Sequence, residues 1–388
     1  MDLTTLTYLL IVAIAYLGYD AVRHPPDAIL EAEAIGSYEK TALSPGLVSD
    51  VLNEEVERIS ATPTIMTRPK IRIGRLSGLA VGLAESMKLQ AVAYALQAQF
   101  GYRFDQIKLS LYGEGGTAKV LVAGMGRQRM SSFQEQLTLE QGETIVGLIQ
   151  RATLIGMAHI DPYLTALSEV QRHAQDKDFK TAETISNDAM AALPPTPTSF
   201  ERSLFENLNG LIALFRGDAK SAHEWFERAE ASCPDNTAAD AVTILNLAFA
   251  DIQIDRDAEA VAHIQQLLRD KPPTDKVLLS TAYMTMAAGQ LGSTHDLNEA
   301  DITIAKAIEA YPEGSSAYDL WADIKREKGD VAAAERMHIK ALETSPSFEN
   351  YGEIATLYFR LAWRENQPVL RSPYTDPELG AVHPAKGG

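Results

Sequence analysis

Small and large residues recur at one fixed spacing through the second half of the chain. In each copy an alanine is followed by a mostly larger residue four positions on, a small or apolar residue seven positions on and a proline twelve positions on. Positions i, i+4 and i+7 lie on one face of an α-helix, and proline cannot continue a helix. The frame occurs five times, at residues 182–194, 222–234, 260–272, 300–312 and 334–346.

A second helix is predicted before four of these copies. Twelve positions before the leading alanine lies another small residue, and the turns between read "RGDA", "DRDA" and "KGDV", which are polar and partly glycine-rich. Small residues on both helices allow a close approach. The first copy is degenerate because Ser186 replaces the large residue, and the fourth has the long connection "GQLGSTHDLNEA". The partner residues are Gly210, Ala248, Ala288 and Ala322.

The helix pairs resemble the tetratricopeptide repeat (TPR), a helix–turn–helix unit with the consensus A-x3-F and a closing proline. The segment from Trp321, with "KGDVAAAERMHIKALETSP" after it, is similar to that consensus. The resemblance covers residues 161–364 and implies a right-handed superhelix whose first helices line a concave groove. A terminal capping helix is predicted from the helical spacing of Tyr351, Ile354, Tyr358 and Leu361.

Residues 23–160 follow a different pattern, which predicts a small α/β module. "SPGLVSDVLNEEVERIS" has helical spacing, "PKIRIGR" is strand-like, and "GLAVGLAESMKLQAVAYALQAQFG" is helical. Alternation on both sides of "GEGG" predicts a β-hairpin, with a further strand in "SSFQEQLTLE" and a helix that leads into the repeats and stops or bends before Pro162. The order resembles that of bacterial membrane-anchored TPR proteins with an unnamed α/β module, which implies a bacterial source and a non-enzymatic role.

The amino-terminal stretch from Leu3 to Tyr19 has no charged residue. It would reach roughly 25 Å as a helix, the short end of what crosses a bilayer. A retained signal anchor (residues 1–22) is the favoured interpretation; a cleaved signal peptide and a buried helix are the alternatives. Arg23 on the carboxyl side favours a cytoplasmic body at a bacterial inner membrane, with a single span. Residues 365–388 are predicted to be an irregular tail.

The composition of the chain limits the classes of partner and the covalent links that it can form. The formal net charge of −17 argues against general nucleic-acid binding, which needs clustered Lys and Arg. The single cysteine, Cys233, excludes an internal disulfide. The fold class predicted from all these features is mainly α: a TPR solenoid preceded by an α/β module and one transmembrane helix.

Two motifs suggest chemistry, and neither is complete. His223 and Glu224 form half of an H-E-x-x-H zinc motif, but Glu227 stands where the second histidine should be. Both His223 and Glu224 are therefore expected on a solvated helix face. The glycine run "GEGGT" joins two predicted strands, whereas a phosphate-binding loop joins a strand to a helix. No catalytic residue, metal ligand or cofactor is predicted.

The function predicted from the sequence is a membrane-tethered TPR scaffold or adaptor that presents its groove to a partner protein. An apolar stretch of the groove suits a helix or extended peptide, and an acidic end favours a basic segment. For Phe215, Leu245 and Phe249 an interior role between repeats is an equal alternative. The predicted groove residues are Asn207, Leu211, Phe215, Leu245, Phe249, Gln253, Asp319, Asp323 and Glu327.

Two further functions remain open at the sequence level. One is an accessory structural subunit of a membrane complex. The other is an enzyme acting on a small molecule or envelope polymer through a pocket in the α/β module. That pocket would be lined by several of Asp105, Lys108, Tyr112, Glu114 and Arg127.

Overall fold

A computed structural model of the protein describes residues 28–35, 45–64, 105–113, 117–126, 131–174, 176–194, 199–233 and 237–344. The chain divides into two compact units. The first comprises Met1–Thr62 and Met66–Ser168, and the second comprises Pro63–Ile65 and Glu169–Gly388. The predicted anchor, the strand at 69–75, the helix at 78–101, the capping helix and the tail lie outside the described residues.

The first unit is an α/β fold built on a mixed sheet. Strand β1 runs parallel to β2, and β2, β3 and β4 are antiparallel neighbours in the order β1-β2-β3-β4. The predicted hairpin and the strand after it are thereby confirmed as β2, β3 and β4. The elements are β1 (Ala28–Ala34), α1 (Pro45–Ser60), β2 (Asp105–Tyr112), β3 (Lys119–Gly126), β4 (Ser131–Thr138) and α2 (Ile145–Ile160).

Strand β1 is a difference from the sequence-based expectation. Its sequence, "AILEAEA", consists largely of Ala and Glu, which are depleted in strands, so composition gave no strand signal. The strand is stabilised by its parallel pairing with β2, in which Leu30 lies opposite Ile107 and Ala32 lies opposite Leu109. The extended conformation of residues 28–34 therefore depends on pairing with β2.

Period-two alternation gives the sheet one apolar and one polar face. Ile107, Leu109 and Leu111 of β2 are fully buried together with Val48 and Val56 of α1. Helices α1 and α2 pack on this face and on each other. Between α2 and the next helix only Asp161 intervenes, so the predicted stop before Pro162 is confirmed.

The second unit is helical in its described part. Helix α3 contains the boundary between the two units, and the helices from α5 onward form successive pairs. Their bounds are α3 (Pro162–Arg172), α4 (Lys180–Ala191), α5 (Phe200–Phe215), α6 (Ala219–Ser232), α7 (Thr237–Gln253), α8 (Asp257–Asp270), α9 (Lys276–Ser293), α10 (Leu297–Ala310), α11 (Ser315–Glu327) and α12 (Val331–Glu343).

The repeat frame read from the sequence is confirmed by burial. The leading alanines of all five copies are buried, as are the small residues on the partner helices. Phe226 of α6 lies directly over Gly210 of α5: a Cβ at position 210 would stand 2.6 Å from the ring carbon Cδ1. Extensive contacts join α5 to α6, α7 to α8, α9 to α10 and α11 to α12. Small residues therefore set the close crossing within each pair.

The predicted long connection in the fourth copy is wrong. Helix α9 continues through Ser293, so only Thr294, His295 and Asp296 separate it from α10. The glycines that suggested a loop serve close packing instead. A Cβ at Gly292 would collide with the carboxylate of Asp257, and one at Gly289 would stand 2.9 Å from the side chain of Val261.

Among the described residues, no helix has the length and apolar character needed to cross a membrane.

Candidate functional site

The predicted groove residues fall into two groups in the structure. Five are buried, each at most 6% exposed, and four are partly or fully exposed. Leu245 packs in an apolar cluster with residues of α7, α8 and α9, so the interior alternative holds for that side chain. The buried group is Asn207, Leu211, Phe215, Leu245 and Phe249; the other is Gln253, Asp319, Asp323 and Glu327.

A physical reason explains this division. The prediction from the repeat frame assumes that one face of each first helix is free of contacts. In the structure α7 contacts α5, α6, α8 and α9, and α9 contacts α7, α8, α10 and α11. Side chains that point between first helices are therefore enclosed. Asn207 is an example: its Oδ1 accepts a hydrogen bond from Nδ2 of Asn246, at 2.9 Å, which links α5 to α7.

The acidic end of the predicted groove carries less free charge than the sequence suggested. Asp323 forms an ion pair with Arg326 at 2.9 Å, and Asp319 lies 3.5 Å from Nδ1 of His338. Glu327 is exposed at the end of α11. The structure thus leaves a mixed polar surface on α7 and α11, and its acidity is partly neutralised by basic neighbours.

The expectation that His223 lies on a solvated helix face is wrong. His223 is only 9% exposed, whereas Glu224 is exposed as predicted. Successive residues of a helix are rotated by roughly 100°, so His223 lies beside the face that Ala222 buries. In the structure this position faces the neighbouring helix α7. There the ring of His223 meets Asp251.

Asp251 lies between two histidine rings from the helices on either side, at ion-pair distance from each but without a hydrogen bond of normal geometry. Its Oδ1 lies 3.0 Å from Nδ1 of His223 on α6, and its Oδ2 lies 3.2 Å from Nδ1 of His263 on α8. Asp251 is fully buried. The carboxylate beside it raises the pKa of His263, an effect that burial of the ring opposes. We call these three residues the His–Asp–His cluster.

Sequence reasoning missed Asp251, although a signal exists. It is a carboxylate within the apolar run "TILNLAFADIQ" of α7, and buried charges occur in proteins only with partners. Searching for histidines one helix away would have found the cluster. Within the described ranges, no group of three or more His, Cys, Asp or Glu side chains is arranged to hold a metal ion.

Of the pocket residues proposed for an enzyme, the three that the structure describes do not converge on one side of the sheet. Asp105 shares the helix-covered side of β2 with Ile107, while Lys108 and Tyr112 project from the opposite side. Lys108 forms an ion pair with Glu33 at 3.1 Å, and Tyr112 donates to Gln136 at 2.6 Å. Glu114 and Arg127 lie outside the described residues.

Helix–turn–helix units whose small residues meet at each crossing, stacked along the chain, define a TPR-like helical-repeat protein, and the helices from α4 to α12 form one. No protein-family model and no curated protein matches the chain. The class therefore rests on the repeat geometry.

Solved TPR structures are similar to part of the chain. One is YrrB, described as a TPR protein with an unusual peptide-binding site, at 17% identity over 50% of this chain and 86% of that chain, with a TM-score of 0.31. Two MamA structures, MSR-1 and AMB-1, each show 16% identity over 47% of this chain and 95% and 99% of theirs, with TM-scores of 0.32 and 0.31. At these values the similarity carries no conclusion about function.

Proposed function

We propose that this protein is a TPR scaffold that binds a partner protein along the surface formed by its first helices, α5, α7, α9 and α11. The observation that carries the proposal is the unbroken contact of these helices: α5 touches α7, α7 touches α9, and α9 touches α11. Stacked repeats of this kind present one extended surface, on which a peptide or helix can contact several repeats at once.

The contact residues in this proposal are the exposed members of the predicted set. Gln253 on α7 and Asp319, Asp323 and Glu327 on α11 retain access to solvent. We define these four as the polar rim. The buried members, including Leu211 and Phe249, support the helices beneath it. Recognition through a polar rim favours a partner segment with hydrogen-bonding and basic side chains.

The membrane part of the proposal rests on the sequence. The charge-free stretch from Leu3 to Tyr19 would tether the scaffold to a bacterial inner membrane, with Arg23 favouring a cytoplasmic body. The two units would then hold a partner close to the membrane. A role as accessory subunit of a membrane complex is compatible with the same surface.

Site-specific photo-crosslinking in the full-length, membrane-bound protein tests the surface. A photoreactive residue at Gln253 or Glu327 should crosslink one and the same partner protein in cells of the source organism. Matched positions on the second helices, Glu224 of α6 and Glu309 of α10, are exposed as well and should not. Equal crosslinking at all four positions, or crosslinking only at the second helices, would contradict the proposed surface.

A further inference from the structure

The His–Asp–His cluster links two successive helix pairs through one buried carboxylate. His223 belongs to the pair α5–α6, whereas Asp251 and His263 belong to the pair α7–α8. Each oxygen of Asp251 faces a different ring, at 3.0 Å and 3.2 Å. A fully buried carboxylate is costly unless positive charge or hydrogen bonds compensate it. The protonation of the His263 ring therefore decides how well the buried carboxylate is compensated where α7 meets α8.

Other charged groups that face the rings are few. Nε2 of His223 lies 3.2 Å from Nη1 of Arg256, which follows α7, and 3.3 Å from Glu227 on its own helix. His263 feels Glu227 and Glu230 of α6 in addition to Asp251. Helices α5 and α9 also pack against α7, and the carboxylates that act on the pKa of His263 lie on α6 and α7.

We propose that the His–Asp–His cluster is a proton-operated clamp between the helix pairs α5–α6 and α7–α8. With the His263 ring protonated, Oδ2 of Asp251 has a cation beside it, and the ion pair holds α8 against α7. When His263 loses its proton, the buried carboxylate loses this cation, and local opening of the α6–α8 segment becomes easier.

The direction of the pH effect follows from His263. Its pKa is raised in the folded protein, chiefly by Asp251. A group of this kind contributes stability that is fully present below its unfolded value of about 6.5 and is lost as pH rises through the folded value. The clamp is thus tight in mild acid and loose in mild base. Gln253 of the polar rim is the last residue of α7, so opening of α7 would alter the proposed binding surface. The clamp itself does not depend on a partner.

Amide hydrogen exchange on the full-length protein, in detergent and with a chelator present, tests the clamp. After correction for the intrinsic pH dependence of exchange, protection of α6, α7 and α8 should be several-fold higher at pH 5.5 than at pH 8. His263→Gln keeps a polar side chain of similar size at a position 37% exposed, and it should abolish that pH dependence while the protein stays folded. Asp251→Asn should do the same if it folds.

The matched control is His338→Gln. That ring is 40% exposed and lies 3.5 Å from a single carboxylate, Asp319, which is itself partly exposed. It should leave the pH dependence of α6, α7 and α8 unchanged. Wild-type protection that is equal at the two pH values, or a full pH effect retained in His263→Gln, would overturn the clamp. In a second experiment without the chelator, a gain in protection at pH 8 on adding Zn²⁺ that His263→Gln lacks would also overturn it, because a metal would then be the bridging cation.

Discussion

Gly210 is a residue of α5 that lies directly against a side chain of α6. The ring of Phe226 occupies the space that a side chain at position 210 would need. Both residues are buried, so neither can move aside into solvent. The close crossing is a local consequence of one missing side chain.

Gly210→Ala should therefore destabilise the repeats by about 1–3 kcal/mol, the usual cost of overpacking. Helix propensity alone favours alanine over glycine by about 1 kcal/mol, so a loss identifies the steric contact. Hydrogen exchange of α5 and α6 in the full-length protein measures the effect. The control is Gly147→Ala in the first turn of α2, where the nearest atom is the flexible Cγ of Glu143 at 3.3 Å. Unchanged protection of α5 and α6 would mean that Phe226 yields without cost.

At the scale of elements, Asp301 ties helix α10 to the following pair. Its carboxylate accepts hydrogen bonds from Nε1 of Trp321 at 2.6 Å and from the ammonium groups of Lys325 and Lys328, each at 2.8 Å. Burial raises the pKa of Asp301, but these hydrogen bonds outweigh burial and lower that pKa to about 2. One side chain thus joins α10 to both the body and the end of α11.

Asp301→Asn should lower the free energy of unfolding at pH 7 by about 1.5–3 kcal/mol, the range for hydrogen bonds to a charged group. A lowered pKa means that the stabilisation is present above the unfolded value of about 3.9 and is lost as pH falls through the folded value. The urea midpoints of wild type and variant should therefore converge as pH falls from 4 to 2. Asp270→Asn, at an exposed carboxylate beside Arg269, is the control and should change little at any pH. A difference that stays constant with pH would contradict the assigned network.

At the scale of the whole molecule, residues 1–22 are predicted to tether the protein to a membrane. The stretch from Leu3 to Tyr19 carries no charge, and the segment "LGYDAVRHPP" at its carboxyl end offers no good small-x-small cleavage site. Deleting residues 1–22 should give a soluble protein whose α/β unit and repeats keep their hydrogen-exchange protection. In the full-length protein, mass spectrometry of the membrane fraction should recover the intact amino-terminal peptide. Recovery of only a shortened chain would show a cleaved signal peptide.

Much of the helical unit could be predicted from the sequence. Spacing alone located the leading alanines and Gly210, because small residues on one helical face have few uses other than close packing. Alternation likewise predicted β2 and β3. In contrast, β1 could not be predicted, since Ala and Glu are weak strand formers and the pairing with β2 decides its state. The glycines of α9 suggested a loop because the sequence of α9 does not show the contact that requires them. They lie against side chains of α8, which leave no room for a Cβ.

The sequence by itself determined the repeat class, the frame of the helix pairs and the hairpin, because periodicity depends on neighbours along the chain. Only the tertiary structure decided which of the projected residues are accessible. Leu211 and Leu245 share the projected face with Gln253, yet contacts from successive first helices enclose the leucines and leave the glutamine in reach of solvent. The tertiary structure also brought His223 and His263 to Asp251, since these residues lie on three helices and no spacing rule connects them.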